Sequence, residues 1–241
     1  MLIRVIDRAP FLCGVCYSTT LDRDLKALEQ RLNRRMLVDS KRGEGTVELD
    51  LPFERASAFA RPLSPVVSIR SPNRIIVQRW GLLPRYIRTE AEAQEFLKRT
   101  PTYNAVSEEV EAKRSYKHAF AQGQRCLVPV TGFFEWRHEG KVRVPYRIGL
   151  KGGDVFCLGG LWEEHDGMET YTVLTTRANP LMAYIHNSKQ RMPVIVPEAQ
   201  WDAWLSPDRS PAEVKRMCEP YPEDDLEAER LGPGPVQGVL F

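Results

Sequence analysis

A dense series of short β-rich segments between residues 125 and 176 is the feature that most constrains the fold. The segments RCLVPVTGFFEW, VPYRIGL, VFCLGGLWEE and TYTVLTT are rich in β-branched and aromatic residues. Turn sequences such as HEGK and HDGM separate them, and this alternation is typical of strands joined by short connections. The series therefore predicts a mostly antiparallel sheet.

Further strands and several helices surround this series. VVSIR and RIIVQRW flank the turn SPN and predict a hairpin, and MPVIV predicts another strand. Helices are predicted over residues 21–35, capped by Thr19 or Thr20, and over EAEAQEFLKR, SEEVEAKRSYKHAF with Ser107 as its N-cap, and PEAQWDAWL. Residues 39–65 are predicted to be mostly irregular. The predicted fold class is α+β, with a curved, mostly antiparallel sheet or open β-barrel core and helices packed outside.

The C-terminal end differs in composition from the rest of the 241 residues. From Glu219 onwards there are six acidic residues and one basic residue among prolines and glycines. Such a segment buries too little apolar surface to fold. We therefore predict a disordered tail of residues 219–241 after a single domain of residues 16–218. Residues 1–218 then carry a net charge of +7, which is compatible with binding a polyanion.

Apolar runs and cysteine usage indicate the compartment. No apolar run is long enough to span a membrane, and residues 1–15 lack the hydrophobic region of a signal peptide. The five cysteines have no disulfide-framework spacing, which predicts reduced thiols. The sequence predicts a cytoplasmic protein without a metal or a cofactor.

Three polar residues are candidates for chemistry. Glu135 lies among the bulky apolar residues of GFFEW, where burial would raise the pKa of its carboxyl towards neutrality, as general acid or base catalysis requires. The alternative for Glu135 is a solvated strand face. His186 in YIHNSKQRMPV precedes a predicted strand, and Asn104 in TYNAVSEE precedes a predicted helix. Taken singly, these two also fit a surface histidine and a turn asparagine.

The pair Cys13 and Cys16 in FLCGVCYSTT has three interpretations. A redox pair requires a preceding strand within a βαβ pattern, which MLIRVIDRAPFL hardly supplies. A zinc site requires a second pair of ligands, whereas Cys126, Cys157 and Cys218 are isolated in the sequence. In the third interpretation one of the pair is a nucleophile at the true N-terminus.

Taken together, these segments resemble the SOS response-associated peptidase (SRAP) family. RWGLLP, NAVSEE, RCLVPVTGFFEW, LGGLW, VLTTRAN and IHNSKQRMPVIV occur in the order and spacing of that family, across roughly residues 16–205. The resemblance implies that a mature N-terminal cysteine shields abasic sites in single-stranded DNA by covalent attachment. Its α-amine would condense with the deoxyribose aldehyde to an imine, and its thiolate would add to the imine to close a thiazolidine ring.

The printed N-terminus conflicts with this chemistry, because an internal cysteine has no free α-amine. A phage-like branch of the family begins Met-Cys-Tyr-Ser, and here Val15 stands where that methionine belongs. A GTG codon encodes valine internally and methionine when it initiates, so we predict that translation starts at residue 15. Cys16 is then the mature N-terminus, and residues 1–15 are a mis-annotated or removed leader. Cys13 is the alternative nucleophile, because CGV resembles the opening of other members.

The resemblance also implies roles for individual residues. Cys16 is the nucleophile, Asn104 orients the cysteine and the sugar, Glu135 shuttles protons, and His186 assists sugar ring opening. The predicted DNA contacts are Arg79, Trp80, Arg85, Lys189 and Arg191, with a core position as the alternative for Trp80. The family commonly has an arginine where this chain has Val106, so one phosphate contact is missing.

The C-terminal segment QGVLF predicts a second partner. Gln237, Leu240 and Phe241 fit the Gln-x-x-Leu-Phe pattern by which bacterial proteins dock on the replicative sliding clamp. A flexible tail would tether the domain near replication forks, at the nucleoid. Two other function classes remain open. One is a self-processing cysteine peptidase that uses the same residues, with lyase-like chemistry, and the other is a non-catalytic single-stranded DNA-binding module.

Overall fold

The computed structural model describes residues 17–37, 49–165 and 167–232. These residues form fourteen strands, six α-helices and three short 3-10 helices. The strands are β1 (Ser18–Leu21), β2 (Arg35–Met36), β3 (Phe53–Ser57), β4 (Leu63–Ser68), β5 (Arg74–Trp80), β6 (Asn104–Val106), β7 (Arg125–Val130), β8 (Gly132–Glu139), β9 (Val142–Leu150), β10 (Phe156–His165), β11 (Met168–Arg177), β12 (Arg191–Pro193), β13 (Ile195–Val196) and β14 (Leu226–Arg230). The α-helices are α1 (Leu25–Leu32), α2 (Glu90–Arg99), α3 (Lys117–Ala121), α4 (Pro180–Ile185), α5 (Trp201–Trp204) and α6 (Pro211–Arg216).

Five strands form a closed ring in the order β4, β5, β11, β10, β7 and back to β4. The neighbours are antiparallel except at the closure, where β5 and β11 run parallel and pair Arg79 with Thr170 and Trp80 with Tyr171. Short strands extend the ring: β6 and β12 pair with β11, β13 with β10, and β2 with β5. The predicted α+β fold, with a curved, mostly antiparallel sheet or open barrel as its core, is confirmed, and the parallel pair closes the ring.

A second sheet has the strand order β14, β9, β8, β1, β3, with antiparallel neighbours throughout. The hairpin of β8 and β9 is its longest pairing, from Phe133 opposite Ile148 to Glu139 opposite Val142. Apolar side chains from this sheet and from the ring meet in one cluster that includes Trp80, Phe133 and Tyr171. A second cluster joins Leu28 and Leu32 of α1 to ring residues, so this helix packs on the outside as predicted.

Two adjacent glycines in β10 permit close packing inside the ring. A Cβ on Gly160 would lie 2.6 Å from the carbonyl oxygen of Thr172 and 2.8 Å from Cys126 Sγ. A Cβ on Gly159 would lie 2.7 Å from Cζ2 of the Trp204 ring. Side chains larger than hydrogen do not fit at such distances without moving their neighbours. The LGGLW segment therefore serves the packing of the ring.

Two predicted helices and one predicted loop differ from the structure. Helix α1 begins after Asp24, whose side chain accepts a hydrogen bond from the Ala27 N–H, and neither Thr19 nor Thr20 caps it. Both threonines lie in β1 together with Leu21, where pairing with β3 and β8 replaces helical bonding. The segment predicted to be irregular, residues 39–65, contains β3 and the start of β4.

The predicted helix over residues 107–120 is largely wrong, because only Lys117–Ala121 is helical there. The Ser107 N–H donates to the carbonyl oxygen of Thr175 at 2.9 Å and so continues the pairing of β6 with β11. Glu108 binds the guanidinium of Arg191. Tertiary contacts therefore hold the first part of this segment in turns despite its helical composition.

The prediction of disorder from residue 219 is wrong for residues 219–232. Strand β14 pairs with β9 from Leu226 opposite Leu150 to Arg230 opposite Tyr146, and Leu226 is buried. Glu223 also accepts a hydrogen bond from the first turn of α4, at the Leu181 N–H. The N–H and C=O groups at the edge of β9 form hydrogen bonds with this segment, and amino-acid composition gives no information about such distant backbone partners. None of the helices in the described ranges is long and apolar enough to cross a membrane.

Candidate active site

Glu135 lies in the middle of β8 and is 2% exposed. It pairs with Tyr146 of β9, and its side chain shares a face of the strand with that of Phe133, which belongs to the core cluster between the two sheets. The predicted burial of this carboxylate among aromatic residues is therefore confirmed, and the solvated alternative is excluded. A buried acidic side chain in such surroundings is a candidate for proton transfer.

The chain enters the described fold beside Glu135. Strand β1 pairs with β8 through Thr19 opposite Phe133 and Thr20 opposite Gly132. Tyr17 precedes Thr19 by two residues, and Glu135 follows Phe133 by two residues, so both extend from the same end of this pairing. The backbone of Tyr17 is fixed from the other side, because its carbonyl oxygen accepts a 2.8 Å hydrogen bond from the Ala58 N–H. The two predicted nucleophiles, Cys16 and Cys13, lie outside the described residues, and the peptide bond joins Cys16 directly to Tyr17.

Aromatic rings surround this entry point. The ring of Tyr17 lies 4.9 Å from that of Phe59 and 6.0 Å from that of Tyr103, measured between centroids. Tyr103 immediately precedes Asn104, and it fixes the neighbouring strand because its carbonyl oxygen accepts a 2.9 Å hydrogen bond from Trp80 Nε1. The contact between Tyr17 and Tyr103 therefore brings the start of the described chain next to the segment that carries Asn104.

Asn104 is the first residue of β6, which runs parallel to β11 and pairs Asn104 with Val173. Paired residues present their side chains to the same face, and Val173 belongs to the same core cluster as Phe133. The carbonyl oxygen of Asn104 accepts a 2.9 Å hydrogen bond from the hydroxyl of Tyr116. Burial and the nearby Tyr17 raise the pKa of Tyr116, so this hydroxyl remains a donor at neutral pH.

His186 follows the last turn of α4 and is 3% exposed. Its N–H donates to the carbonyl oxygen of Met182 at 2.7 Å, and its ring Nδ1 lies 3.2 Å from the carbonyl oxygen of Arg191. The Arg191 N–H approaches the same nitrogen at 3.4 Å, the longer and weaker of the two contacts. A ring that donates from Nδ1 carries its lone pair on Nε2.

The environment of His186 favours the neutral imidazole. Burial lowers the pKa of His186, the hydrogen bond to the Arg191 carbonyl opposes this, and the positive charge of Lys189 and the nearby His138 lower the pKa further. A neutral imidazole at pH 7 accepts a proton, as a general base requires.

The segment around His186 is fastened to the strand that carries Glu135. The Asn187 side chain accepts a 3.1 Å hydrogen bond from the His138 N–H and donates a 2.9 Å bond to the His138 carbonyl. Arg137 donates to the carbonyl oxygen of Tyr184, and its guanidinium lies over the Tyr184 ring. Both partners on β8 lie within three residues of Glu135.

The structure therefore brings together the elements that carry Asn104, Glu135 and His186. These elements are β6, β8 and the turn after α4, and each contributes to or adjoins a shared core cluster that contains Phe133, Val173 and Ile185. Sequence analysis missed Tyr17 and Tyr103, which tie the chain entry to β6. Their positions beside Cys16 and Asn104 were the signal that could have found them.

The predicted DNA-binding role of Trp80 is wrong, because this side chain is 1% exposed. Its ring stacks on that of Tyr171 with centroids 5.9 Å apart, and its Nε1 is bonded within the core. No base can reach either face of a ring packed in this way. Arg79 on the same strand is half-buried, and its Nη1 donates to the carbonyl oxygen of Arg61 at 3.1 Å.

The other predicted DNA contacts divide into exposed and internally bound residues. Arg85 and Lys189 are exposed, and the guanidinium of Arg85 lies 2.8 Å from Nε2 of His118. Arg191 holds Glu108 through two hydrogen bonds of 2.8 and 2.6 Å, and it also donates to the carbonyl oxygen of Thr175. Its contacts in the described structure are thus internal, and a phosphate contact for any of these residues stays a prediction.

The pattern Gln237, Leu240 and Phe241 lies outside the described residues, so clamp binding stays a prediction. Among the described ranges no group of three or more histidine, cysteine or acidic residues is arranged to hold a metal ion. Cys126, Cys157 and Cys218 are buried free thiols within those ranges.

Comparisons with known proteins identify a family profile, curated relatives and solved structures that are similar to this chain. The sequence profile described as SOS response associated peptidase (SRAP) matches residues 15–233. The abasic site processing protein YoqW of Bacillus subtilis is 32% identical over 173 residues, which cover 69% of this chain and 73% of that protein. The abasic site processing protein HMCES of Gallus gallus is 29% identical over 151 residues, covering 52% and 43%. A crystal structure of a protein from Bacteroides thetaiotaomicron superposes with a TM-score of 0.80 at 30% identity, covering 90% of this chain and 92% of that one.

Proposed function

The chain belongs to the SRAP family, and we propose that it processes abasic sites in DNA by attaching Cys16 covalently to the opened sugar in single strands. One observation supports this assignment most strongly. Strand β1 pairs with β8, and Thr19 lies opposite Phe133, two residues from the buried Glu135. The described chain therefore begins beside the strand that carries a group able to transfer protons, and Cys16 precedes Thr19 by three residues. Adjacent Cα atoms are about 3.8 Å apart across a trans peptide bond.

The proposed reaction joins the cysteine to the aldehyde with the loss of one water. The α-amine of Cys16 adds to the aldehyde carbon, and the resulting hydroxyl leaves as water to give an imine. The thiolate then adds to the imine carbon, and the imine nitrogen takes up a proton to complete the five-membered thiazolidine ring. Glu135 donates the proton to the departing hydroxyl and exchanges protons with the nitrogen during ring closure.

The other two residues act before and during condensation. The sugar at an abasic site is mostly a cyclic hemiacetal, and His186 in its neutral form accepts the hydroxyl proton as the ring opens to the aldehyde. Asn104 orients the cysteine and the sugar from β6, beside the aromatic contact of Tyr103 with Tyr17. Positioning of this kind replaces a bimolecular encounter with reaction within a bound complex.

The mechanism requires a free α-amine on the cysteine, so we propose that residue 16 is the mature N-terminus. The region that matches the family profile begins at residue 15, which supports a start codon there. Protein expressed from the native gene should therefore have an intact mass that corresponds to residues 16–241. A chain that retains Met1, with no shorter species, contradicts this start.

The covalent reaction is tested with a single-stranded oligonucleotide that contains one abasic site. Protein beginning at Cys16 is expected to form an adduct that survives denaturing electrophoresis, and Cys16→Ala is expected to lose it completely. Cys218→Ala is the matched control, because burial raises the pKa of Cys218 to about 12 and keeps it a protonated thiol. An adduct that persists in Cys16→Ala contradicts the proposal, and so does an adduct lost in the control.

The same experiment separates the alternatives. A self-processing peptidase predicts that the 241-residue chain shortens in vitro, and that Glu135→Gln prevents this without any oligonucleotide. A non-catalytic binding module predicts unchanged DNA binding in Cys16→Ala and no adduct in the wild type.

We also propose that the C-terminal QGVLF docks on the sliding clamp and so keeps the protein at the nucleoid. Strand β14 fixes residues 226–230 on β9, and six residues of sequence separate Arg230 from Gln237. A chain that ends at Val236 is expected to lose clamp binding and to keep adduct formation, and equal clamp binding by both chains contradicts docking.

A further inference from the structure

Two arginines lie together at the closure of the ring. Arg79 is the penultimate residue of β5, and Arg61 follows the 3-10 helix Ala58–Ala60. Nη1 of Arg79 donates to the carbonyl oxygen of Arg61 at 3.1 Å, and its Nε donates to Sδ of Met168 at 3.2 Å. The Trp80 N–H, at the same end of the strand, donates a 3.0 Å hydrogen bond to the carbonyl oxygen of Pro62. The side chain of Arg79 and the backbone of residues 61 and 62 are therefore fixed to one end of β5.

The two charges lack a carboxylate partner. Within the described residues no acidic oxygen lies in ion-pairing distance of either guanidinium, and Nε of Arg61 is buried without a hydrogen-bond partner. Burial lowers the pKa of Arg61, the like charge of Arg79 lowers it further, and Glu90 and Tyr103 oppose this only through charge. Arg191 shows the contrasting arrangement, since a carboxylate binds it through both oxygens.

The backbone of Arg61 is also unusual. Its φ of 48° and ψ of 54° lie in the left-handed region, which residues other than glycine adopt at an energetic cost. Its Nε lies 3.3 Å from the point where Gly81 would carry a Cβ, and the Tyr103 ring lies 3.2 Å from the same point. The guanidinium of Arg61 is thus next to the ring that contacts Tyr17, and so adjoins the proposed active site.

We propose that Arg61 and Arg79 form a subsite for a phosphodiester group of the single strand next to the abasic sugar. The choice of ligand rests on the proposed function. Guanidinium groups bind phosphate oxygens through paired N–H donors, and two of them without a carboxylate leave a positive site that only an anion neutralises. Because the group bound is part of the backbone, the subsite recognises undamaged single strands as well.

Binding of an undamaged, fluorescently labelled single-stranded oligonucleotide tests the subsite, measured by anisotropy over a range of salt concentrations. Arg61→Gln is expected to weaken binding about tenfold at low salt, since removal of a charge-assisted hydrogen bond has that order of effect. The slope of log K against log salt should fall by about 0.7 for each phosphate of the single strand that the variant no longer binds. Arg79→Gln is expected to have a similar effect.

Arg74→Gln is the matched control, because it removes the same charge from the other end of β5, where Arg74 is exposed. It should change affinity less than twofold and leave the slope unaltered. Arg61→Gly removes the charge at a position whose backbone conformation glycine adopts readily, so weaker binding with an unreduced melting temperature excludes a folding defect. The subsite is overturned if Arg61→Gln and Arg61→Gly bind like Arg74→Gln, or if the wild type does not bind the strand.

The result is independent of the covalent step. If Cys16→Ala binds the undamaged strand normally and Arg61→Gln does not, the subsite stands whether or not the wild type forms an adduct. If an adduct forms and Arg61→Gln behaves as the control does, the proposed function stands and the subsite fails.

Discussion

The closed ring and the five-stranded sheet differ in the kind of residue that they bury. In the ring, Gly159, Gly160 and Trp80 face neighbours at contact distance and have no solvent-accessible chemistry. In the sheet, β8 carries Glu135, and β1, at the start of the described chain, pairs with the neighbouring residues Gly132 and Phe133. Segments of similar β-rich composition therefore divide into those that pack the ring and those that carry the residues of the proposed site.

The residues of the proposed site are attached to both sheets. Asn104 is attached to the ring through β6, Glu135 belongs to the sheet, and His186 follows a helix fastened to β8. Rigid strands on both sides hold such side chains with little freedom, which favours catalysis that depends on geometry. The comparison predicts that changes in the sheet alter reactivity and changes in the ring alter stability.

The largest expected effect is on the rate of adduct formation after Glu135→Gln. The amide cannot donate or accept the proton in the condensation, so the single-turnover rate should fall about 10²- to 10³-fold, while the melting temperature stays close to that of the wild type. Denaturing gels sampled over time give the rate. Glu139→Gln is the control on the same face of β8, and it should retain the wild-type rate. Equal rates in the two variants would falsify the role of Glu135.

The next effect is on stability after Gly160→Ala. The added methyl group would meet the Thr172 carbonyl oxygen at 2.6 Å, so the ring must distort, at a cost of about 3 kcal/mol in the free energy of unfolding. Urea titration measures this loss. Gly232→Ala is the control, since nothing lies within 4 Å of its Cβ position. A Gly160→Ala protein as stable as the control shows that the close contact is not required.

The smallest of the three is a pH effect at His186. Burial lowers the pKa of His186 in the folded protein below 6.5, its ordinary value, so the unfolded chain binds the proton more readily. Above about pH 6.5 His186 is neutral in both the folded and the unfolded chain, so its ionisation does not affect the free energy of unfolding. As the pH decreases from 6.5 towards the folded pKa, the unfolded chain takes up the proton first, and the free energy of unfolding falls. His186→Gln should lose this part of the pH dependence and form adduct about tenfold more slowly at pH 7.

Urea midpoints measured between pH 5 and 8 test the stability part of that prediction. His138→Gln is the control, because the contacts of His138 to Asn187 are made by its backbone. It removes only the smallest of the influences on the pKa of His186, and the burial that dominates is retained. A stability profile for His186→Gln that still falls below pH 6.5 as steeply as the control's argues against a buried neutral His186.

Some elements are predicted well from the sequence because neighbouring residues alone determine them. The helix EAEAQEFLKR has a threonine cap, acids in its first turn and bases in its last, and it forms over Glu90–Arg99 as predicted. The strands between residues 125 and 177 follow their β-rich composition, and the burial of Glu135 follows from its apolar neighbours. Each of these features is set by residues that are adjacent in the chain.

Features that depend on distant partners were not predictable in the same way. Ser107 and Glu108 are held by Thr175 and Arg191, so a helical composition does not produce a helix there. The buried position of Trp80 depends on the parallel closure of β5 on β11, which no short segment specifies. The pairing of Arg61 with Arg79 depends on the same closure and on a left-handed residue.

Strand β14 is an edge strand of its sheet, and the charges of Glu227, Glu229 and Arg230 disfavour pairing of this edge with another chain. It covers the outer edge of β9 with five residue pairs, and a shortened chain that ends at residue 218 would leave those backbone groups open to any extended peptide. Such a chain is expected to form strand-exchanged oligomers even with every reactive side chain retained. The acidic segment of β14 is therefore expected to limit aggregation as well as to complete the sheet.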